Sequence, residues 1–433
     1  MSVGTAFHER TAALNRKGQW REWSGYFAAT SYADHHDIEY NAIREAAALI
    51  DVSPLFKYSV TGPDAVRLID RVIVRDATRL GVGQVWYTCW CNEEGKVLDD
   101  GTVTRLEDAR FRWTSAEPNL RWIRMNGHGL DVEVEEISES TAALALQGPL
   151  SRDVLEAATG EAFGDLRFFR ERPSSVRNIV VDVTRTGYTG DLGFELWVDA
   201  DQAVDLWDAL MDGGAGYGLR PAGLNAVDIV RIEAGLILLE VDYVSARRAL
   251  NVEQAYSPFE LGILGRFTDL DNKPGGFVGR RALEAERAAG GPSRRLVGLE
   301  IDWDEIEGLF SSQGLYPMVP QVASRSHVPV FDGRRQVGRA TSTTWSPVLK
   351  KNIALGSVTA AHEKPGTRVE VEWTVEARRR RAGATVVDLP FFDPPRKRAV
   401  VEGTEGKTGV SEVSRRGGGR RGSHGPRSRR APR

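Results

Sequence analysis

Cysteine is nearly absent from this chain of 433 residues: there are two, Cys89 and Cys91, one residue apart in a strand-like run. On such a strand they share a face, and packed free thiols fit that spacing better than a disulfide or a metal site. The seven histidines show no metal-ligand spacing. Long apolar runs are missing as well, since no stretch approaches the roughly 20 residues that a membrane span requires. The N-terminus, Met1 to Arg10, is polar and lacks the apolar centre of a secretion signal. These absences argue against a disulfide scaffold, a metalloprotein and a membrane protein, and they make the cytoplasm the expected location. What is present is core-forming material: 41% hydrophobic residues with 11 tryptophans, enough for two or three domains.

Charge is unevenly spread. Residues 403–433 carry nine Lys and Arg against Glu405 and Glu412, a net of +7, which leaves −10 on the remainder of a chain whose total is −3. That segment is rich in Gly, Ser, Pro and Arg and has little to bury, so it is expected to be disordered. The acidic body gives no support to a nucleic-acid partner.

One internal echo organises the body. Val60-Thr-Gly-Pro-Asp-Ala-Val-Arg-Leu-Ile69 and Leu146-Gln-Gly-Pro-Leu-Ser-Arg-Asp-Val-Leu155 each read as a strand end, a Gly-Pro turn and an amphipathic helix, with proline near the helix start where its missing N–H does no harm. Alternating strand-like sequence follows each copy, with Val85, Tyr87 and Cys89 on one face in the first. This order predicts an α+β fold of two related antiparallel units rather than a parallel doubly wound sheet. After Arg294 come short strands, Arg295 to Ile301, Val328 to Phe331, Gln336 to Thr341, Ile353 to Val358 and Arg368 to Trp373, which predict a C-terminal β-barrel. The expected division is 1–290, 291–395 and the basic segment 403–433.

Four segments carry candidate chemistry. In Arg185-Thr-Gly-Tyr-Thr-Gly-Asp-Leu-Gly-Phe-Glu-Leu-Trp-Val198, three glycines precede Glu195, and the flanking alternation predicts a hairpin with Glu195 and Trp197 on one face. A carboxylate there suits a flat ligand with adjacent N–H donors, and the indole offers it a stacking face. In Gly95-Lys-Val-Leu-Asp-Asp-Gly101, Asp99 and Asp100 point to opposite faces, so one serves a site while the other ties down a turn. Asn225 to Gly235 reads as a helix whose Arg231 either pairs with Asp228 three residues earlier or forks to a ligand. Thr341 to Ala354 reads as a polar loop whose Trp345 either closes a pocket or packs between domains.

Together these segments resemble the glycine-cleavage T-protein, or aminomethyltransferase, family. Its Gly-Tyr-Thr-Gly-Glu-x-Gly-x-Glu stretch matches Gly187 to Glu195 with Asp191 in place of the first acid, and its Arg-x-Glu-Ala-Gly helix matches Arg231 to Gly235. Its Thr-Ser-x-x-x-Ser-Pro-x-Leu-Lys-Lys-Asn-Ile-Ala loop matches Thr341 to Ala354, and Gly-x-x-x-Asp-Asp matches Gly95 to Asp100. The resemblance implies a three-lobed cloverleaf holding tetrahydrofolate in a central channel. It implies Asp99 as the catalytic carboxylate, Glu195 on the aminopyrimidine edge of the pterin, and Tyr87, Arg231, Tyr188 and Trp345 as further folate-pocket residues. The implied reaction moves an aminomethyl group from the lipoyl arm of a carrier protein to give methylene-tetrahydrofolate and ammonia, with no metal.

The chain departs from the family pattern at Ile50-Asp-Val-Ser-Pro-Leu55, where a histidine is lost, at Ile237 to Arg248, and at Trp20 to Tyr26. These departures keep two alternatives open: demethylation of a small S-, N- or O-methylated compound onto tetrahydrofolate, and a folate-binding protein without turnover. The latter is expected to carry a Lys-Gly-Cys-Tyr-x-Gly-Gln motif, which does not occur in this chain.

Overall fold

In the computed structural model, which describes residues 2–401, the Gly-Pro echo becomes two copies of one folded unit. The segment 403–433 lies outside the described residues. In the first copy the strand Phe56–Thr61 runs through Gly62-Pro63 into the helix Ala65–Val72; in the second, Thr141–Gln147 runs through Gly148-Pro149 into Ser151–Thr159. The two turn glycines have nearly the same left-handed backbone, φ 123° and 121°. The first helix buries Ala65, Leu68, Ile69 and Val72, the spacing that puts one apolar stripe on the sheet.

Each helix is followed by three antiparallel strands. These are Gln84–Cys91, Val97–Glu107 and Arg110–Ser115 in the first copy, and Glu171–Val176, Ile179–Thr184 and Gly193–Asp199 in the second. The sheets match strand for strand except at one edge, where strands are exchanged. Glu133–Glu136, just before the second copy, pairs with Phe56–Thr61 of the first, while Ala48–Asp51, just before the first copy, pairs with Thr141–Gln147 of the second. The exchange knits the lobes together, and a short parallel strand, Arg220–Pro221, extends the second sheet.

The third lobe is a closed six-stranded barrel built from Arg294–Ile301, Val328–Asp332, Arg335–Ser346, Lys351–Thr359, Arg368–Val375 and Arg378–Val387. The last strand was not among those expected. Its run of exposed arginines, Arg378 to Arg381, hides a strand whose Ala382, Ala384 and Val386 are buried in the barrel core. The polar loop expected over Thr341 to Ala354 is instead a hairpin, with strands pairing through Ser346↔Lys351. Its hydroxyl-bearing residues are buried, and several of those hydroxyls find charged partners described below. The α+β architecture with a C-terminal barrel is otherwise the one expected. No described helix is long and apolar enough to cross a membrane.

A methyl group at Gly148 would sit 2.6 Å from the Ala46 carbonyl oxygen and 2.9 Å from that of Ile43. At Gly160, also left-handed with φ 75°, nothing lies within 4 Å. Gly148→Ala is therefore expected to destabilise by about 3 kcal/mol or more, combining backbone strain with overpacking, and Gly160→Ala by only about 1 kcal/mol. Urea unfolding of the two variants tests the ranking; equal losses would refute this account of the turn.

Candidate active site

Strand alternation sorts the first sheet into two chemically different faces. One face carries Tyr58, Val60, Trp90, Val103, Phe111 and Trp113 into the lobe core. The other carries Tyr87, Asp100, Thr102, Thr104, Arg112 and Thr114, a polar surface with Thr102 and Thr114 hydroxyls 2.7 Å apart in the middle. Asp99 and Asp100 fall on opposite sides of this divide: Asp99, the acid implied as catalytic by the resemblance, lies on the core face, and Asp100 lies on the polar face.

Asp99 is fully buried on the core side. Its Oδ1 accepts from the Asp100 N–H at 2.7 Å, and its Oδ2 accepts from the Glu117 N–H at 2.9 Å and the Asn119 side-chain amide at 2.8 Å. Those bonds fix the turn between strand Arg110–Ser115 and helix Leu120–Asn126. Asn119 in turn accepts from the Trp90 indole at 3.0 Å. Asp99 is thus committed to structure.

Asp100 is half-buried, with the Tyr87 hydroxyl donating to Oδ2 at 2.7 Å and the Tyr243 hydroxyl donating to Oδ1. Burial pushes its carboxyl above the usual carboxylate value, and the two phenol bonds pull it back. Burial also pushes Asp99 well up, with the charge of Asp100 adding to the effect.

Tyr188, at the tip of the glycine-rich turn, donates to the Ile237 carbonyl at 2.5 Å. Burial raises its phenol, and it senses the charges of Arg231, Asp242 and Asp100. Arg231 does not chiefly pair with Asp228, which lies 3.6 Å from its Nε. Its Nη1 meets Asp242 Oδ2 at 2.5 Å and its Nη2 donates to Ser342 Oγ at 2.8 Å. Asp242 is closed off by the Leu238 N–H at 2.8 Å and by the Thr341 and Ser342 hydroxyls, both at 2.6 Å. Asp228 instead receives Arg325 and Arg21.

On the facing sheet, Glu195 accepts from the Thr186 hydroxyl at 2.5 Å through Oε2. Burial pushes its carboxyl up, and the Thr186 bond and the charge of Arg112 oppose that. Arg112 donates to Asp182 at 2.6 Å and stacks over the Trp197 ring at 4.4 Å. Arg112 lies opposite Ser59, three residues before Gly62, and Glu195 lies opposite Ala145, three residues before Gly148. They are equivalent positions of the duplicated unit, occupied by opposite charges.

The glycines of the hairpin have an internal explanation rather than a ligand's close approach. A methyl at Gly187 or Gly193 would fall 2.0 or 2.3 Å from the Gln147 side-chain amide, which fills the turn. One at Gly190 would meet Ala234 at 2.5 Å. Asp191, the acid that departs from the family motif, is bound through both oxygens by Arg396 at 2.7 and 2.8 Å.

Of the residues singled out from the sequence, Tyr87 and Tyr188 gather near Asp100, Arg231 lies beside Tyr188, and Glu195 on the second sheet lies near Arg112. Trp345 does not join: it packs against Trp303, ring centroids 5.6 Å apart, on the barrel. Sequence reading weighed Asp100 against Asp99 and took Asp99, and it gave no role to Tyr243, Asp242 or Arg112. Asp100 was legible in principle, because register puts it on the face of Tyr87. Tyr243 and Asp242 sit in the divergent stretch after Gly235, and only the fold turns them inward. Where no metal cluster was expected, His35, His36 and Asp37 bring three ligand atoms within 4.8 Å, with His36 buried and the other two exposed.

Glu233 ties the site to its frame. It receives Arg44 at 2.9 and 2.5 Å, the Tyr40 hydroxyl at 2.7 Å and the Ser346 hydroxyl at 2.6 Å, so a helix and a barrel strand converge on one buried carboxylate. Glu233→Ala leaves Arg44 buried without its partner, and a loss of about 3–5 kcal/mol is expected. Truncating the exposed Asp212, paired with Arg177, is expected to cost under about 1 kcal/mol. Thermal unfolding of both variants decides; parity between them would refute the hub.

Comparison with known proteins places these residues in context. The profile of the GCVT N-terminal domain matches residues 5–268, and that of the glycine cleavage T-protein C-terminal barrel domain matches residues 294–393. An aminomethyltransferase of Symbiobacterium thermophilum is 37% identical over 377 residues, covering 83% of this chain and 90% of that protein. A trimethylamine-oxide aldolase of Ruegeria pomeroyi is 36% identical over 410 residues, 92% of this chain, although the chain spans only 48% of that protein's length. The crystal structure of glycine cleavage system aminomethyltransferase T from Bartonella henselae superposes with a TM-score of 0.77 at 25% identity, covering 93% of this chain and all of that one.

Proposed function

The chain belongs to the glycine-cleavage T-protein family, and from that premise we propose that it transfers a one-carbon unit to tetrahydrofolate at Asp100. The observation that carries the reading is a half-buried carboxylate held by two phenols on the polar face of one lobe, with Glu195 presented by the other. The donor set fits a pterin. One oxygen of Glu195 is engaged by Thr186, and the carboxylate suits the adjacent N–H groups of an aminopyrimidine.

Tetrahydrofolate supplies a nucleophilic ring nitrogen when bound. The chain supplies position and charge. Asp100 stabilises the positive charge that develops on the transferred carbon, and Tyr87 and Tyr243 hold it in one orientation so that little reorganisation is needed. Arg231, neutralised by Asp242, acts by bracing helix and barrel around the site rather than as a free cation.

The first donor reading is an aminomethyl group on the lipoyl arm of a carrier protein, giving methylene-tetrahydrofolate and ammonia, as the family name suggests. The second is removal of a methyl group from a small S-, N- or O-methylated compound, favoured by the similarity to the trimethylamine-oxide aldolase along 92% of this chain. A cytoplasmic location and a division near residue 290 accompany both readings as proposals.

Asp100→Asn is expected to lower turnover at least about 100-fold while leaving tetrahydrofolate affinity within about twofold, whereas Asp99→Asn chiefly loses stability. Glu195→Ala is expected to weaken tetrahydrofolate binding about 10- to 100-fold by calorimetry, the loss of charge-assisted hydrogen bonds. Full activity in Asp100→Asn, with a panel of donors and with methylene- and methyl-tetrahydrofolate resolved, would sink the assignment.

The pH dependence follows from the same bonds. Activity needs Asp100 ionised, so it rises with pH as the proton is lost. The Tyr243 hydroxyl stabilises the anion and lowers its pKa. Removing it in Tyr243→Phe is expected to move the acid limb of the pH–rate profile to higher pH. A limb that stays in place, or moves down, contradicts this role.

A further inference from the structure

The sheets of the two duplicated lobes share a cavity of about 210 Å³, the room of about seven waters at roughly 30 Å³ each. Its walls come from strands Phe56–Thr61 and Arg110–Ser115 of the first lobe and Ile179–Thr184 and Gly193–Asp199 of the second. The lining has no residue in common with the site around Asp100, Tyr243 and Glu195. Ile137, Val180 and Trp197 make part of it apolar. Charge balances across it, with Arg110 and Arg112 against Asp182 and Asp199.

Arg112 is unlike the other buried arginines. Its side chain is 4% exposed, it lies over the Trp197 ring at 4.4 Å, and its Nη1 donates to Asp182 at 2.6 Å. Its Nε and Nη2 are buried with no hydrogen-bond partner, and among the described residues no other arginine leaves two nitrogens in that state. Arg44 uses all three of its nitrogens, while Arg185 and Arg231 each leave only Nε. Orphaned donors in a dry, low-dielectric place are costly, and each one calls for a partner. Nε–H and Nη2–H form one edge of the guanidinium fork, the pair of donors that the two oxygens of a carboxylate accept together. Asp182 holds Nη1, so a second carboxylate would leave Arg112 between two acids, as Arg44 lies between Glu233 and Asp191. A dianion would bring its second charge against Asp182 and Asp199.

We infer that this cavity is a second binding site, which takes a small monocarboxylate with an apolar body. The carboxylate pairs with Nε and Nη2 of Arg112, and the body lies against Ile137, Val180 and Trp197. The site stands apart from the folate reading and does not depend on it.

The test uses the full chain with benzoate and isovalerate as probes, against benzamide, which has the shape of benzoate but one acceptor oxygen and no charge. Calorimetry is expected to show saturable binding of both acids, with benzamide at least about tenfold weaker. Arg112→Lys keeps a cation and loses the fork, and is expected to weaken benzoate binding about tenfold or more. Val180→Trp, at a position 71% exposed, adds bulk to the cavity wall without altering the Arg112–Asp182 pair, and is expected to weaken benzoate binding at least about fivefold. Equal binding of benzoate and benzamide by the unaltered chain, or no binding of either acid, overturns the inference without reliance on any variant; so does a folded Val180→Trp that binds benzoate normally. Benzoate affinity is expected to stay within about threefold at saturating tetrahydrofolate. Displacement of benzoate by tetrahydrofolate makes the cavity part of the folate site and overturns the inference. Folate binding without benzoate binding overturns it and leaves the folate reading standing, while benzoate binding without folate binding supports it and removes the folate reading.

Discussion

Two buried carboxylates on and just after the helix Leu224–Glu233 tie that helix and the helix Asp37–Glu45 to the barrel. Glu233 collects Arg44 and Tyr40 from the helix Asp37–Glu45 and Ser346 from the barrel, and Asp242 collects Arg231 from the helix and Thr341 and Ser342 from the barrel. A buried charge is tolerable only when its partners are complete, so this arrangement leaves little freedom in how the barrel meets the duplicated lobes. Everything the site requires depends on that seam. Tyr188 reaches Ile237, and Tyr243 reaches Asp100, because the chain leaving the helix is pinned at Asp242.

The duplicated units share a frame and differ in charge where function enters. Gly62 and Gly148 make the same turn, and the strands that follow pair in the same order. At equivalent places one unit carries Arg112 and the other Glu195, and only the first carries the Tyr87 and Asp100 pair. The scaffold is repeated but its lining is not: Asp100 and Arg112 stand on one sheet, and Glu195 takes the place of Arg112 on the other.

Much of the architecture was legible from short-range pattern. The Gly-Pro echo located both units, and period-two alternation located most strands. Two misreadings share a cause. Thr341 to Ala354 reads as a loop because its hydroxyls suggest exposure, and Arg378 to Val387 goes unnamed as a strand because its first residues are four arginines. In the barrel the hydroxyls face buried carboxylates, and the arginines lie on the outside of a strand whose other residues fill the core. Of the hairpin glycines, Gly187 and Gly193 clear room that the Gln147 side chain fills.

The sequence by itself determined that the chain is a duplicated α+β protein with a barrel, that it resembles folate-dependent one-carbon transferases, and that adjacent Asp99 and Asp100 must serve different ends. Alternation along a strand guarantees that last point but does not say which face is the core. Only the tertiary structure decided it. Asn119 and the Glu117 N–H claim Asp99 from 18 and more residues away in sequence, while Tyr243, 143 residues from Asp100, turns the other acid into the site. Contacts at such separation depend on how lobes pack, and no local pattern encodes them.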